Sequence, residues 1–166
     1  MWPLHYTGHP IFDVGLAAIT AHSRKPDPAK LTETDLEGVA GFIERYYTRP
    51  PFSTFLTISL MNSDFTQPAY KDDEERKRAY ARLLARSLAP ELHQSNEACA
   101  FTGLPALSIP LSTVATKADM PAGRAYRQHL PLTTGEGIIN FSPWADPGLP
   151  MSGIALLCLT FFPMAY

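Results

Sequence analysis

LTETDLEGVAGFIERYY, Leu31 to Tyr47, is the stretch that decides the fold class. Thr32 followed by Asp35 makes an approximate capping box, in which a hydroxyl and a carboxylate satisfy the free N–H groups of a helix start. Asp35 and Glu37 also set negative charge at the positive end of the helix dipole. Leu36, Val39, Ile43 and Tyr47 recur at three and four residues, a single stripe for burial. Arg49-Pro50-Pro51 ends the helix, since a residue before proline is pushed out of the helical region.

Upstream, a helix is predicted from Thr7 or His9, with Pro10 at a first helical position and Ile11, Leu16 and Ile19 on its apolar face. Ser23 to Pro28, SRKPDP, joins the two as a loop. Downstream, the alternation of Leu56, Ile58 and Leu60 with Thr57 and Ser59 predicts a strand over Phe52 to Leu60. Asn62, Ser63 and Asp64 follow as a polar turn. Asp72 to Ala89 reads as a second strong helix, acidic at its start and basic afterwards. Ser95 to Gly123, with Cys99, Gly103, Pro105, Pro110 and Pro121, reads as irregular structure with short strands. Gly135-Glu136-Gly137 leads into a predicted short strand, and Asp146-Pro147-Gly148 into a loop. GIALLCLTFF, Gly153 to Phe162, is too short for a hydrocarbon core that needs about 20 residues, and reads as a buried helix or strand. The apolar residues continue to Tyr166, so the chain is expected to continue, or to dock its C-terminal end on a partner.

The expected fold is therefore α+β: one domain over residues 1–166, mainly helical, with a few short strands and long proline-rich loops. The 166 residues include 45% hydrophobic and 18% charged side chains, enough for a packed core and unlike a disordered chain. Sixteen prolines, about twice the usual share, are scattered, which excludes collagen. A net charge of −2 leaves no global field to attract nucleic acid or an anionic membrane. Two cysteines are too few for a disulfide framework and fit a reducing, cytoplasmic compartment. The opening MWPLHYTGHP lacks the basic start and apolar run of a signal peptide.

Charge is nonetheless clustered. Lys71 to Pro90 carries six basic residues against four acidic ones, and Lys117 to His129 three against one, leaving the remainder at −6. Arg78, Arg82 and Arg86 are four apart and share one helix face, beside Glu75, where they could track phosphates or simply be solvated. Asn62, Ser63 and Gln128 are residue types that can read base edges, although asparagine in a turn usually bonds its own backbone. Cys99, His129 and Asn140 have the residue types of a thiol catalyst, with no local context to join them. No phosphate-loop motif occurs, and Gly135-x-Gly137 lacks the third glycine of a dinucleotide site. Cys99-Ala-Phe-Thr102-Gly103 has the outline of a zinc knuckle short of one sulfur, and Met151 to Ala155 that of a second short of both; no closed zinc site and no cofactor is expected.

Three segments carry a resemblance: TGHPIFDVGLAAI (Thr7 to Ile19), LTETDLEGVAGFI (Leu31 to Ile43) and YRQHLPLTTGEGIINFSPWADPGLP (Tyr126 to Pro150). Together they resemble the N-terminal part of the large subunit of type I CRISPR effector complexes (Cascade), in the I-B-like branch with the Myxococcus-type large subunit. Those subunits are usually several times longer, and often carry paired cysteines at the two knuckle-like segments, reduced here to Cys99. The resemblance implies a non-catalytic subunit of an RNA-guided machine, in which guide RNA reads sequence and protein reads a short duplex motif. The partners implied are guide RNA, target DNA, the other Cascade subunits, and a nuclease-helicase or, in transposon-associated versions, transposition proteins, with no membrane. No family motif fixes the contact residues. The candidates are Asn62, Ser63 and Gln128 on base edges, with Lys71, Arg76, Arg78, Arg82, Arg86, Arg124 and Arg127 on phosphates. The glycines of TTGEGIIN (Thr133 to Asn140) are read as admitting a close approach of nucleic acid or a neighbouring subunit, or as a tight turn. Phe141 and Trp144 are read as core or interface. The competing readings are a structural interaction module and a small thiol or metal hydrolase.

Overall fold

The computed structural model describes residues 4–70, 72–111, 121–132 and 148–165. The predicted strand at Ile138 to Phe141, the glycine turn before it, Trp144 and Lys71 lie outside the described residues.

The helix that opens at Thr32 forms as its caps dictate. Helix α2 runs Glu33–Tyr46, and the Thr32 hydroxyl accepts from the Asp35 N–H (3.2 Å) while the Asp35 carboxylate accepts from the Thr32 N–H (2.8 Å). Leu36, Val39, Ile43 and Tyr47 are all buried. Helix α1 runs Pro10–His22, with His9 as N-cap and Phe12, Gly15, Leu16 and Ile19 buried. Helix α4 covers Glu74–Arg86 and is capped by Asp73, whose carboxylate accepts from the Arg76 N–H at 2.9 Å.

The segment read as a strand is a helix, α3, Phe52–Ser59. Alternation would set Leu56, Ile58 and Leu60 on one face; instead Leu56, Ser59 and Leu60 are buried, at i, i+3 and i+4, while Ile58 is 68% exposed. Threonine and isoleucine favour strands. Here docking of Leu56 and Leu60 into the core overrides that preference, and Pro51 stands at the N-cap where a missing N–H costs nothing.

GIALLCLTF is the central element. Helix α5, Gly153–Phe161, is buried at every residue, as expected of a helix apolar on all sides. It packs along α1, and a short 3-10 turn at Phe162–Ala165 folds back onto α1 as well. Phe161, Phe162 and Pro163 are buried in this chain's own core, so the apolar stretch that prompted the docking expectation is covered from within up to that point. The α1–α5 contact is close: a Cβ on Gly15 would sit 2.0 Å from the Cys158 carbonyl oxygen. Tyr47 ties α2 to α5, donating its hydroxyl to the Thr160 carbonyl at 3.1 Å.

Two short antiparallel strands, β1 (Arg124–Ala125) and β2 (Leu149–Pro150), complete the α+β, mainly helical fold. No helix among the described residues is long and apolar enough to cross a membrane.

Candidate nucleic-acid interface

Helix α4 packs antiparallel on α2. Arg82 meets Glu44 near the end of α2, whereas Leu88 lies across a cavity from Leu36 near its start. The apolar face of α4 turns inward through Tyr80, Ala81 and Leu84, which leaves Arg78, Arg82 and Arg86 exposed on the outer face, as their spacing predicts.

This face is partly neutralised. Arg78 lies 3.6 Å from Glu74, with both side chains about half exposed. Arg82 bridges Glu44 and Glu75, each at 3.2 Å, and these carboxylates raise its guanidinium further above its ordinary range, the Glu44 bond contributing most. Glu44 lies 38 residues away in sequence and carried no local signal. The i,i+4 spacing of Glu74 and Arg78 did. Arg86 has no ionic partner among the described residues. Gly38 and Gly41 of α2 are exposed, and a Cβ at either would meet no atom within 4 Å.

The other candidates are placed differently. Arg76 points inward and pairs with Asp64 at 3.3 Å, both side chains about one-eighth exposed, tying α4 to the turn after α3. Arg124 bonds the Glu97 carboxylate and the Gly148 carbonyl, and its side chain is 11% exposed. Both guanidiniums are thus engaged within the chain and little exposed. Ser63 is 2% exposed: its hydroxyl accepts from the Phe65 N–H, and its carbonyl accepts from Thr66 and Gln67. It builds the turn and is not presented as a base reader; that turn follows a helix, not a strand. Asn62 is half-buried beside it. Arg127 is exposed and Gln128 half-buried, in a 3-10 turn whose His129 ring stands 6.1 Å from that of Tyr80, behind α4.

Cys99 is buried, and His129 uses both ring nitrogens on backbone, Nδ1 accepting from Tyr126 N–H (3.0 Å) and Nε2 facing the Leu111 carbonyl (2.9 Å). Asn140 lies outside the described residues. The second thiol, Cys158, is fully buried in α5, and burial pushes it well above its ordinary range.

The two knuckle-like segments, far apart in sequence, meet. Cys99 and Gly103 close a tight turn through Cys99 N–H to Leu104 O (2.7 Å) and Gly103 N–H to Cys99 O (3.0 Å). The Thr102 hydroxyl, where a second sulfur would stand, is 3.1 Å from that of Ser152, the N-cap of α5. Among the described residues no group of three His, Cys, Asp or Glu side chains is placed to hold a metal ion.

No family model matches the chain, and no curated protein or solved structure matches it.

Proposed function

We propose that this chain is a non-catalytic subunit of an RNA-guided, type I-B-like CRISPR effector complex. In this reading it contacts guide RNA and neighbouring subunits, reads the target-adjacent motif on duplex DNA, and presents the complex to a nuclease-helicase or to transposition proteins. It breaks no covalent bond. The three resembling segments motivate the assignment.

The observation that supports it is the exposed arginine row on α4. Surface ion pairs such as Arg78–Glu74 and Arg82–Glu44 contribute at most about 1 kcal/mol, so a phosphate can take over these guanidiniums at little cost. Arg127 extends the set of exposed cations, with Asn62 and Gln128 as the remaining base-edge candidates.

Titration of short duplexes against the guide-RNA-loaded complex, at several salt concentrations, tests the reading. Alanine at Arg78, Arg82 and Arg86 together should weaken binding and flatten the salt dependence, each lost phosphate contact lowering the slope by about 1. Equal binding by parent and triple variant across salt overturns it.

One observation favours a second reading, a protein-interaction module without nucleic-acid readout: Arg82 already has two carboxylate partners. Under that reading the triple variant leaves duplex binding unchanged and weakens assembly with the other subunits.

A further inference from the structure

The C-terminal end of α2 carries an exposed aromatic ring between two arginines. Tyr46 is 37% exposed, and its ring is held from behind, 4.8 Å from that of Phe42 and 6.0 Å from that of Phe52. Phe42 is itself wedged against Phe161 of α5 (5.9 Å) and His22 of α1 (4.9 Å), so the Tyr46 ring rests on the core. Phe42, Tyr46 and Arg49 follow one stripe at i, i+4 and i+7, and the Arg49 N–H donates to the Tyr46 carbonyl at 3.0 Å. Arg45 adjoins that stripe, and both arginines are exposed. Neither has an ionic partner among the described residues. Glu44, the carboxylate next to Arg45 in sequence, is committed to Arg82 of α4 at 3.2 Å. The helix dipole favours cations at this end, which accounts for the arginines but not for a ring held rigid between them.

A fixed aromatic face flanked by unpaired guanidiniums matches the chemistry of a nucleic-acid single strand, whose bases stack on the ring while cations track its backbone. We propose that Tyr46, Arg45 and Arg49 bind a single-stranded nucleic-acid segment, one base stacked on Tyr46 and the adjoining phosphates on the two arginines. A duplex cannot bind in this way, because its paired bases keep their faces within the stack. The site lies on the flank of α2 away from α4: Tyr46 is two residues on from Glu44, about 200° round the helix. It therefore stands without the arginine row of α4, and without the assignment to an effector complex.

The test titrates fluorescein-labelled oligo-dT and oligo-rU, with a hairpin duplex alongside, by anisotropy against the purified full chain. Tyr46→Ala should weaken single-strand binding about 5- to 150-fold, the contribution of one stacked base, and leave duplex binding unchanged. Tyr46→Trp should restore it, whereas Tyr46→Leu, which refills the place against Phe42 and Phe52 without an aromatic face, should not. Arg45→Ala with Arg49→Ala should lower the slope of log affinity against log salt by about 1.4, two single-strand phosphate contacts at about 0.7 each. Tyr6→Ala removes a more exposed ring and should change nothing. Binding of either oligomer, or of both, supports the proposal, and a preference identifies the strand as DNA or RNA. It is overturned if neither oligomer binds, if Tyr46→Leu binds as the parent does, or if the double arginine variant keeps the parent slope. An equal loss with Tyr6→Ala, or an equal loss of duplex binding with Tyr46→Ala, overturns it too.

Discussion

Three glycines inside helices predict opposite responses to one substitution. At Gly15 a Cβ would lie 2.0 Å from the Cys158 carbonyl oxygen and 2.7 Å from its carbon, well inside contact distance. The obstacle is the backbone of a fully buried helix, so no side chain can swing aside, and α1 and α5 must separate. Overpacking of this kind costs about 1–3 kcal/mol, and backbone against backbone belongs at the upper end. Better helix propensity returns somewhat under 1 kcal/mol. The net loss for Gly15→Ala is then roughly 2 kcal/mol, or a Tm fall of about 4–8 °C for a chain of this size. Gly38 and Gly41 face open space, so Gly38→Ala and Gly41→Ala keep the propensity gain alone and should each raise Tm by roughly 1–4 °C. Thermal unfolding followed by circular dichroism reads all three. A stabilising Gly15→Ala, or a strongly destabilising Gly38→Ala, would refute the helix packing described.

Arg76→Ala leaves the Asp64 carboxylate, about one-eighth exposed, without this partner and should cost roughly 2 kcal/mol in urea unfolding; Arg78→Ala, on an exposed pair, should change stability by less than about 0.5 kcal/mol. Bonds from the Thr32 hydroxyl and then the Thr32 N–H, with Lys25 adding less, hold the Asp35 carboxyl below its usual range. A depressed carboxylate stabilises above its unfolded value near 3.9 and loses that contribution as pH falls through its folded value. Asp35→Asn should accordingly be less stable at neutral pH and show a shallower Tm loss below about pH 4; parallel Tm-against-pH curves would contradict this. Burial of Cys99 and Cys158 predicts that neither thiol reacts with a disulfide reagent until the chain is unfolded, so prompt reaction of native protein argues against the α5 environment.

Where local signals act alone, the sequence is readable. The Thr32 box, Pro10 at the start of α1 and the acidic first turn of α4 are each short-range chemistry, and each forms as read. Phe52 to Leu60 is different, because Leu56 and Leu60 satisfy both a period of two and a period of four. Only the tertiary environment, which buries Ser59 and exposes Ile58, breaks that tie. The candidate site divides in the same way. The row of Arg78, Arg82 and Arg86 follows from helix geometry, but the inward turn of Arg76 depends on Asp64, and the state of Arg82 depends on Glu44 from another helix. An arginine's sequence neighbours say which face of a helix it occupies, not whether a carboxylate already waits there.

The meeting of the knuckle-like segments shows what fixes that corner of the fold. A structural zinc ion contributes on the order of 10 kcal/mol, and a pair of hydroxyls about 1 kcal/mol, so Thr102 and Ser152 cannot substitute for a metal energetically. The backbone does so instead. Met151 N–H donates to Gly123 O (2.8 Å), Leu107 N–H to Met151 O (2.8 Å), Ala100 N–H to Pro150 O (2.9 Å) and Gly123 N–H to Ile109 O (2.7 Å). The segment from Leu149 to Met151 is thus bonded on two sides, to β1 and to the chain around Cys99. Gly123, at φ +64, lets the mesh close, since a Cβ there would stand 2.0 Å from Leu107 O. Below it, α5 starts from a Ser152 cap and runs into the core. Main-chain bonds and a buried helix therefore define this corner, and the Thr102–Ser152 hydroxyl contact sits within a geometry they already hold.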